Sequence, residues 1–133
     1  MIKEVFPSIF SWSRYSEEKK LDFNGYFLIN NNESIIIDPP ELSKVEEKEL
    51  LSLININFSS PLKAILLTNI HHERASHLLK DLFSIPVWVN EFDKHNLEMP
   101  TDKTFTGGEK LFCEIESIQL EAQKSPGETA FYI

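Results

Sequence analysis

The sequence predicts an α+β domain built on one mixed sheet, and two observations carry that expectation. Strand-like runs come first, at residues 23–30 and 34–38. A strand–loop–helix–strand unit follows, and then further strands, an order that packs helices on a sheet around one core. The length of 133 residues is enough for one domain and short for two, so residues 1–133 are read as a single unit.

Residues 23–30 (FNGYFLIN) and 34–38 (SIIID) are rich in β-branched and aromatic side chains. The polar Asn31, Asn32 and Glu33 between them are a hairpin signal. Asp38-Pro39-Pro40 ends the second run, because proline cannot donate to a ladder. Ser43-Lys44-Val45-Glu46 has the spacing of a capping box, which starts a helix over about 44–53. Leu62 to Thr68 is a short apolar run after Pro61 and reads as a buried strand. Ala75, Leu78, Leu79, Leu82 and Phe83 then recur at i, i+3, i+4, i+7 and i+8, one face of a helix. Ile85 to Val89 reads as a short strand and Glu91 to Leu97 as a short helix. Gly107-Gly108 marks a turn, residues 111–121 alternate loosely as a strand, and Pro126-Gly127 turns into Thr129–Ile133.

Composition narrows the function. An apolar share of 41% and a charged share of 26% are those of a soluble globular protein. A net charge of −8, with no basic run longer than Lys19-Lys20, excludes nucleic acid and anionic membrane surfaces as natural partners. No run approaches the roughly 18 apolar residues of a membrane span, and MIKEVFPSIFSW lacks the pattern of a secretory signal. The lone Cys113 rules out an internal disulfide and a Cys-cluster zinc site, so a cytoplasmic home is expected. The apolar ending Ala130-Phe131-Tyr132-Ile133 has no cap or polar tail. It suggests a fragment truncated at its C-terminus, the alternative being a plain edge strand.

One stretch reads as an active-site loop. Residues 66–77 (LLTNIHHERASH) lie between the best strand and the best helix, where open α/β sheets bind ligands. His71, His72 and Glu73 there are of the types that bind zinc. The zincin pattern H-E-x-x-H is excluded, because His77 follows His72 by five residues rather than four. Side chains at i and i+5 of a helix point about 140° apart, against about 40° at i and i+4.

A strand ending in threonine, then His-x-His-x-Asp-His, then an amphipathic helix is the signature that this loop resembles, that of the metallo-β-lactamase superfamily. Aligned on Thr68, the family's first histidine falls on Asn69 and its second on His71, its aspartate on Glu73 and its third histidine on Arg74. The family's later Pro-Gly-His-Thr loop is similar to Ser125-Pro126-Gly127-Glu128-Thr129, and its opening strands to the hairpin ending in Asp38. The resemblance implies the first half of an αββα sandwich, a mixed sheet with helices on one face. The second half, with its further ligands, has no counterpart. More narrowly, Ser11-Trp12-Ser13, Asp22-Phe23-Asn24-Gly25, Thr68-Asn69, His72, Arg74 and Lys124-x-Pro-Gly-Glu128 resemble a divergent branch of small members, which implies no activity.

The substitutions speak against a dinuclear zinc site. An amide oxygen is a weak ligand beside imidazole, and the always-protonated Arg74 binds no cation. The expectation is therefore a degenerate metallo-hydrolase: Asp38, Asn69, His71, His72, Glu73, Arg74 and Glu128 form a former active-site loop, with no catalytic residue and no cofactor. Arg74 is expected to pair with Glu128, or with Glu73 or Asp38, as an organic cation in place of the ion. Three readings compete: an inert or repurposed binding domain, a mononuclear hydrolase of a small ester, thioester or amide, and an assembly module. In the second, His71, Glu73 and either Glu128 or His72 would hold one zinc ion. In the third, a homo-oligomer would cover the open half-sheet. Against these stand plainer roles: His71 and His72 as loop residues, His77 and His95 on helix surfaces, and Cys113 in a strand near the core. Trp12 and Trp88 would likewise belong to the core, and Glu46, Glu47 and Glu49 to a solvated helix face.

Overall fold

The computed structural model describes residues 1–99, 101–121 and 126–133. Its main sheet has seven strands in chain order: β1 (Lys3–Phe6), β2 (Ile9–Ser16), β3 (Leu21–Asn30), β4 (Glu33–Ile37), β5 (Leu62–Leu66), β6 (Val87–Asn90) and β7 (Lys103–Phe105). Neighbours from β1 to β4 run antiparallel, and those from β4 to β7 run parallel. Helices α1 (Lys44–Ile56) and α2 (Ser76–Phe83) make the first two parallel crossovers. A ribbon of β8 (Glu116–Gln119) and β9 (Thr129–Tyr132) forms a second, two-stranded sheet.

The expected hairpin is the β3–β4 pair. Asn31 and Asn32 both take positive φ, 52° and 60°, as a primed two-residue turn asks, and asparagine tolerates that region best after glycine. Strands β1 and β2 are not announced by the pattern of residues 1–22. Only Trp12 of β2 is fully buried, so no clean alternation is written there. In the sheet centre, alternation is strict. Phe27, Ile36, Ile65 and Leu67 face the helices with Leu50 of α1 and Leu79 of α2. Leu28, Ile35, Ala64 and Leu66 face the other way, onto Cys113 and Ile115. Helices thus cover one face and the β8–β9 side covers the other, as expected for the α+β sandwich.

Several elements differ from expectation. The buried stripe of α2 is Ala75, Ser76 and Leu79 with partly buried Phe83, while Leu78 and Leu82 are 66% and 48% exposed. An eight-residue helix on one sheet face buries a single narrow stripe, and the two leucines flank it. The strand expected at 85–89 is shifted to β6. The helix expected over 91–97 is a 3-10 turn at Lys94–Asn96, and His95 there is exposed as anticipated. Cys113 is buried but sits in a 3-10 turn with φ of 59°, not in a strand.

Glu46 is the largest departure. Instead of joining a solvated face it is 4% exposed. It accepts from Ser43 N in the predicted capping box at 2.9 Å, from the Met1 ammonium at 2.7 Å and from Arg14 Nη2 at 2.5 Å. Burial alone would raise its pKa. The bonds from the terminal ammonium and Ser43, with the charges of the terminus and Arg14, outweigh that and hold it at about 2. A carboxylate depressed from 4.5 to about 2 stabilises the fold above pH 4.5, and the contribution is lost as pH falls towards 2. Glu46→Gln should therefore cost about 1–2 kcal/mol at pH 7, less than the full shift because the terminus and Arg14 are open to solvent. It should also flatten the pH dependence of urea midpoints between 4.5 and 2.

Candidate active-site cleft

Parallel pairing sets the ends of β4 and β5 side by side, with Asp38 N donating to Leu66 O at 3.1 Å. Both Asp38 carboxylate oxygens then serve Thr68, Oδ1 accepting from its N–H at 2.8 Å and Oδ2 from its hydroxyl at 2.5 Å. His72 closes the group, its Nδ1 lying 2.9 Å from Asp38 Oδ2 and 2.8 Å from Thr68 Oγ1. A bare Nδ1 lone pair would repel the carboxylate, so Nδ1 carries a proton and donates to it. Asn69 caps the 3-10 turn Ile70–His72 by accepting from His71 N at 2.8 Å. Its amide Nδ2 lies 3.4 Å from His72 Nε2 and 3.3 Å from Glu128 Oε1.

Glu128 is brought here by a clamp on its loop. Thr129 N donates to Thr68 O at 2.8 Å, and Gly127 N to the fully buried Asp93 Oδ1 at 2.8 Å. The Thr129 hydroxyl donates to Gly127 O at 2.8 Å. Lys124 and Ser125, the other residues singled out in this loop, lie outside the described residues.

Of the expected site residues, Asp38, Asn69, His72 and Glu128 form one bonded group, whereas His71, Glu73 and Arg74 do not join it. The His71 side chain is exposed. Glu73 is buried and turned to the other side of the loop, where it accepts from Glu98 N at 2.9 Å, Met99 N at 3.0 Å and His77 Nε2 at 2.6 Å. This corrects the surface role expected of His77, and the i, i+4 spacing of Glu73 and His77 was a signal for their contact.

Arg74 also departs from expectation. No described ion pair joins it to Glu128, Glu73 or Asp38. Its guanidinium lies 4.2 Å from the centre of the Phe23 ring, and Nη1 donates to the carbonyls of Asp38 at 3.2 Å and Asn24 at 3.4 Å. Burial pulls its pKa down, with the charge of Asp38 acting in the opposite sense. Asp38 and Arg74 both have positive φ, 49° and 37°, at a cost on the order of 1 kcal/mol each.

Two cavities flank the loop. One, of about 530 Å³, is bordered by Asp22, Asp38 and Glu128, and the other, of about 820 Å³, by Glu73, His77, Asn96 and Met99. Lys19, Phe23, His71, His72 and Arg74 line both. Neither Lys19 nor Phe23 could be assigned to the site from spacing, since the β3 backbone brings them in from a distant part of the chain.

A strand-end aspartate beside a threonine-terminated strand, a histidine-bearing turn and a Pro-Gly loop is the arrangement of a known family. The sequence matches the profile described as "Metallo-beta-lactamase superfamily" over residues 2–133. This chain belongs to the metallo-β-lactamase superfamily. A relative from Streptococcus pyogenes serotype M6, named "Probable metallo-hydrolase", is 37% identical over 82 residues, which is 59% of this chain and 33% of that one. Among solved structures, DIM-1 metallo-β-lactamase exposed to ceftazidime superposes with a TM-score of 0.78 at 21% identity, over 100% of this chain and 64% of that one. The metallo-β-lactamase from Pontibacter korlensis gives 0.77 at 16%, over 100% and 66%. The matched part of this chain therefore covers a third of that relative's length, and the whole chain covers about two-thirds of the lactamase chains. The likeness to the lactamases is one of fold.

Within the superfamily fold, the 126–129 loop has no room for a larger residue at 127. A Cβ there would meet Asn90 Cβ and Asp93 Cγ, each at 2.8 Å. Gly127→Ala should destabilise the protein by about 2 kcal/mol, read as a lower urea midpoint at unchanged slope.

Proposed function

We propose that this metallo-β-lactamase-fold domain does not act as a dinuclear zinc hydrolase and instead binds a ligand in the cleft without a metal. One observation carries the reading: Arg74, at the position of the motif's third histidine, brings a permanent cation into the cleft and braces it on Phe23. A guanidinium beside a divalent ion would be repelled, and it offers no lone pair to one.

The remaining donors support the same reading. Asn69 has committed its oxygen to His71 N and its amide to Glu128 and His72. Glu73 has both oxygens occupied by backbone N–H groups and His77. Among the described residues, no three of His, Cys, Asp and Glu are grouped to hold an ion. The residues at the motif positions do not fit a dinuclear centre, and no catalytic step through zinc follows from them. The alternative, a mononuclear hydrolase, would need Glu73 and Glu128 to leave their present partners and converge with His71.

Protein purified without chelator should carry well under one zinc per chain by plasma mass spectrometry, and His71→Ala should leave that figure unchanged. Stoichiometric zinc that disappears on His71→Ala would instead establish the mononuclear hydrolase.

We also infer a homo-oligomer, with a second copy covering the β8–β9 side, and a cytoplasmic location. For the oligomer, the support is apolar surface on one face of that ribbon, where Ile118 and Tyr132 are 44% and 66% exposed. For the location, it is the single buried thiol. Sedimentation should give a dimer mass that Ile118→Lys reduces to the monomer. A wild-type protein that sediments as a monomer at every concentration would remove this inference.

A further inference from the structure

We propose that the larger cavity binds a small organic oxyanion, a carboxylate or a phosphate ester, with Arg74 as its principal partner. The inference rests on the metal-free reading above and names the class of ligand for that cleft. It starts from which carboxylates beside the cleft already have hydrogen-bond donors. Asp38 takes three donors, from Thr68 N, Thr68 Oγ1 and His72 Nδ1. Glu73 likewise takes three, from Glu98 N, Met99 N and His77 Nε2.

Arg74 has no such partner. A guanidinium carries five N–H donors in a planar fork. Here only Nη1 is engaged among the described residues, through two long contacts to carbonyl oxygens, and Nε is buried without a hydrogen bond. A partly desolvated cation with idle donors is an unfavourable state that a bidentate oxyanion relieves. The face of Phe23 fixes the plane of the fork, so little conformational freedom remains to be lost on binding.

The surroundings select the cavity and the class. Lys19, His71 and His72 line the cleft beside Arg74. Asp22, Asp38 and Glu128 border the smaller cavity, whereas the acids bordering the larger one are Glu73, whose oxygens are already taken, and the exposed Glu98. The larger one has the volume of a small-molecule site, and Ile70 and Met99 offer an apolar wall for the body of the ligand.

The test is an NMR titration of the whole chain with inorganic phosphate and, separately, with benzoate. Sodium chloride at matched ionic strength is the control. Saturable shifts at residues 70–74 that chloride does not produce are expected with at least one probe, and the stronger probe tells phosphate from carboxylate. Arg74→Gln should raise Kd about tenfold or more, Arg74→Lys less, because lysine keeps the charge and loses the fork. Each variant is used once its circular dichroism matches the wild type. If Arg74→Gln does not fold, Arg74→Lys and Lys19→Gln carry the comparison, each expected to weaken binding.

No saturable binding, or a Kd unmoved by the Arg74 substitutions, overturns the proposal. Repeating the titration after EDTA treatment, and again after added zinc, separates the two readings. Binding that survives EDTA and depends on Arg74 supports both. Binding seen only with zinc overturns both. Failure of both probes in protein that takes up no zinc overturns the oxyanion alone and leaves the metal-free reading standing.

Discussion

The side-by-side ends of β4 and β5 are the constraint on which the cleft depends, and the carboxylate of Asp38 is what fastens them. It sits at the exit of one parallel strand and takes both donors of Thr68 at the exit of the next. Asp38 reaches this position only in a left-handed backbone conformation just before two prolines, which bar the chain from continuing the ladder. The loop after β5 is then shaped by the same carboxylate through His72. An aspartate buried to this degree is tolerated because three donors replace its water.

From that anchor the site grows outward by exchange of partners. Asn69 joins the 3-10 turn to the C-terminal loop, and Asp93 holds that loop from the β6 side through Gly127. Gly127 is required there for space, since two side chains already fill the volume a Cβ would need. The cleft is thus assembled from β3, the ends of β4 and β5, and the 126–129 loop. Those segments lie far apart in sequence; the mixed sheet joins the first three, and the bonds of Thr129 and Gly127 bring in the loop.

This explains which parts were legible in the sequence. The Asn31-Asn32 turn, the Ser43–Glu46 capping box and the central strands were readable because each is a local rule with a local signature. The superfamily was readable from the Thr68 motif and the Pro-Gly loop. Strand β2 was not, since its apolar residues do not alternate and it is held by pairing with β3. Nor was the fate of Glu46, because an acidic residue in a helix's first turn reads as solvated until the N-terminus and Arg14 fold over it. Within the cleft, residue types and positions were readable and partners were not. Arg74 and Glu128 looked complementary by charge, yet Asn69 takes the carboxylate and carbonyl oxygens with an aromatic face take the guanidinium.

A metal ion neutralises the carboxylates that face it, so a cleft without one must supply other donors or become unstable. In this chain the carboxylates at or beside the motif each have donors of their own. Asp38 uses a threonine and a histidine, Glu73 two backbone amides and a histidine, and Glu128 an asparagine amide. None of these donors is Arg74. Had the arginine served only to balance the site's negative charge, it would sit on one of those carboxylates, where the pairing energy is largest. Instead it lies on Phe23 between two cavities, half-buried, with Nε unbonded among the described residues. Among the described residues its fork donates to no carboxylate, and the proposed anion site rests on that feature.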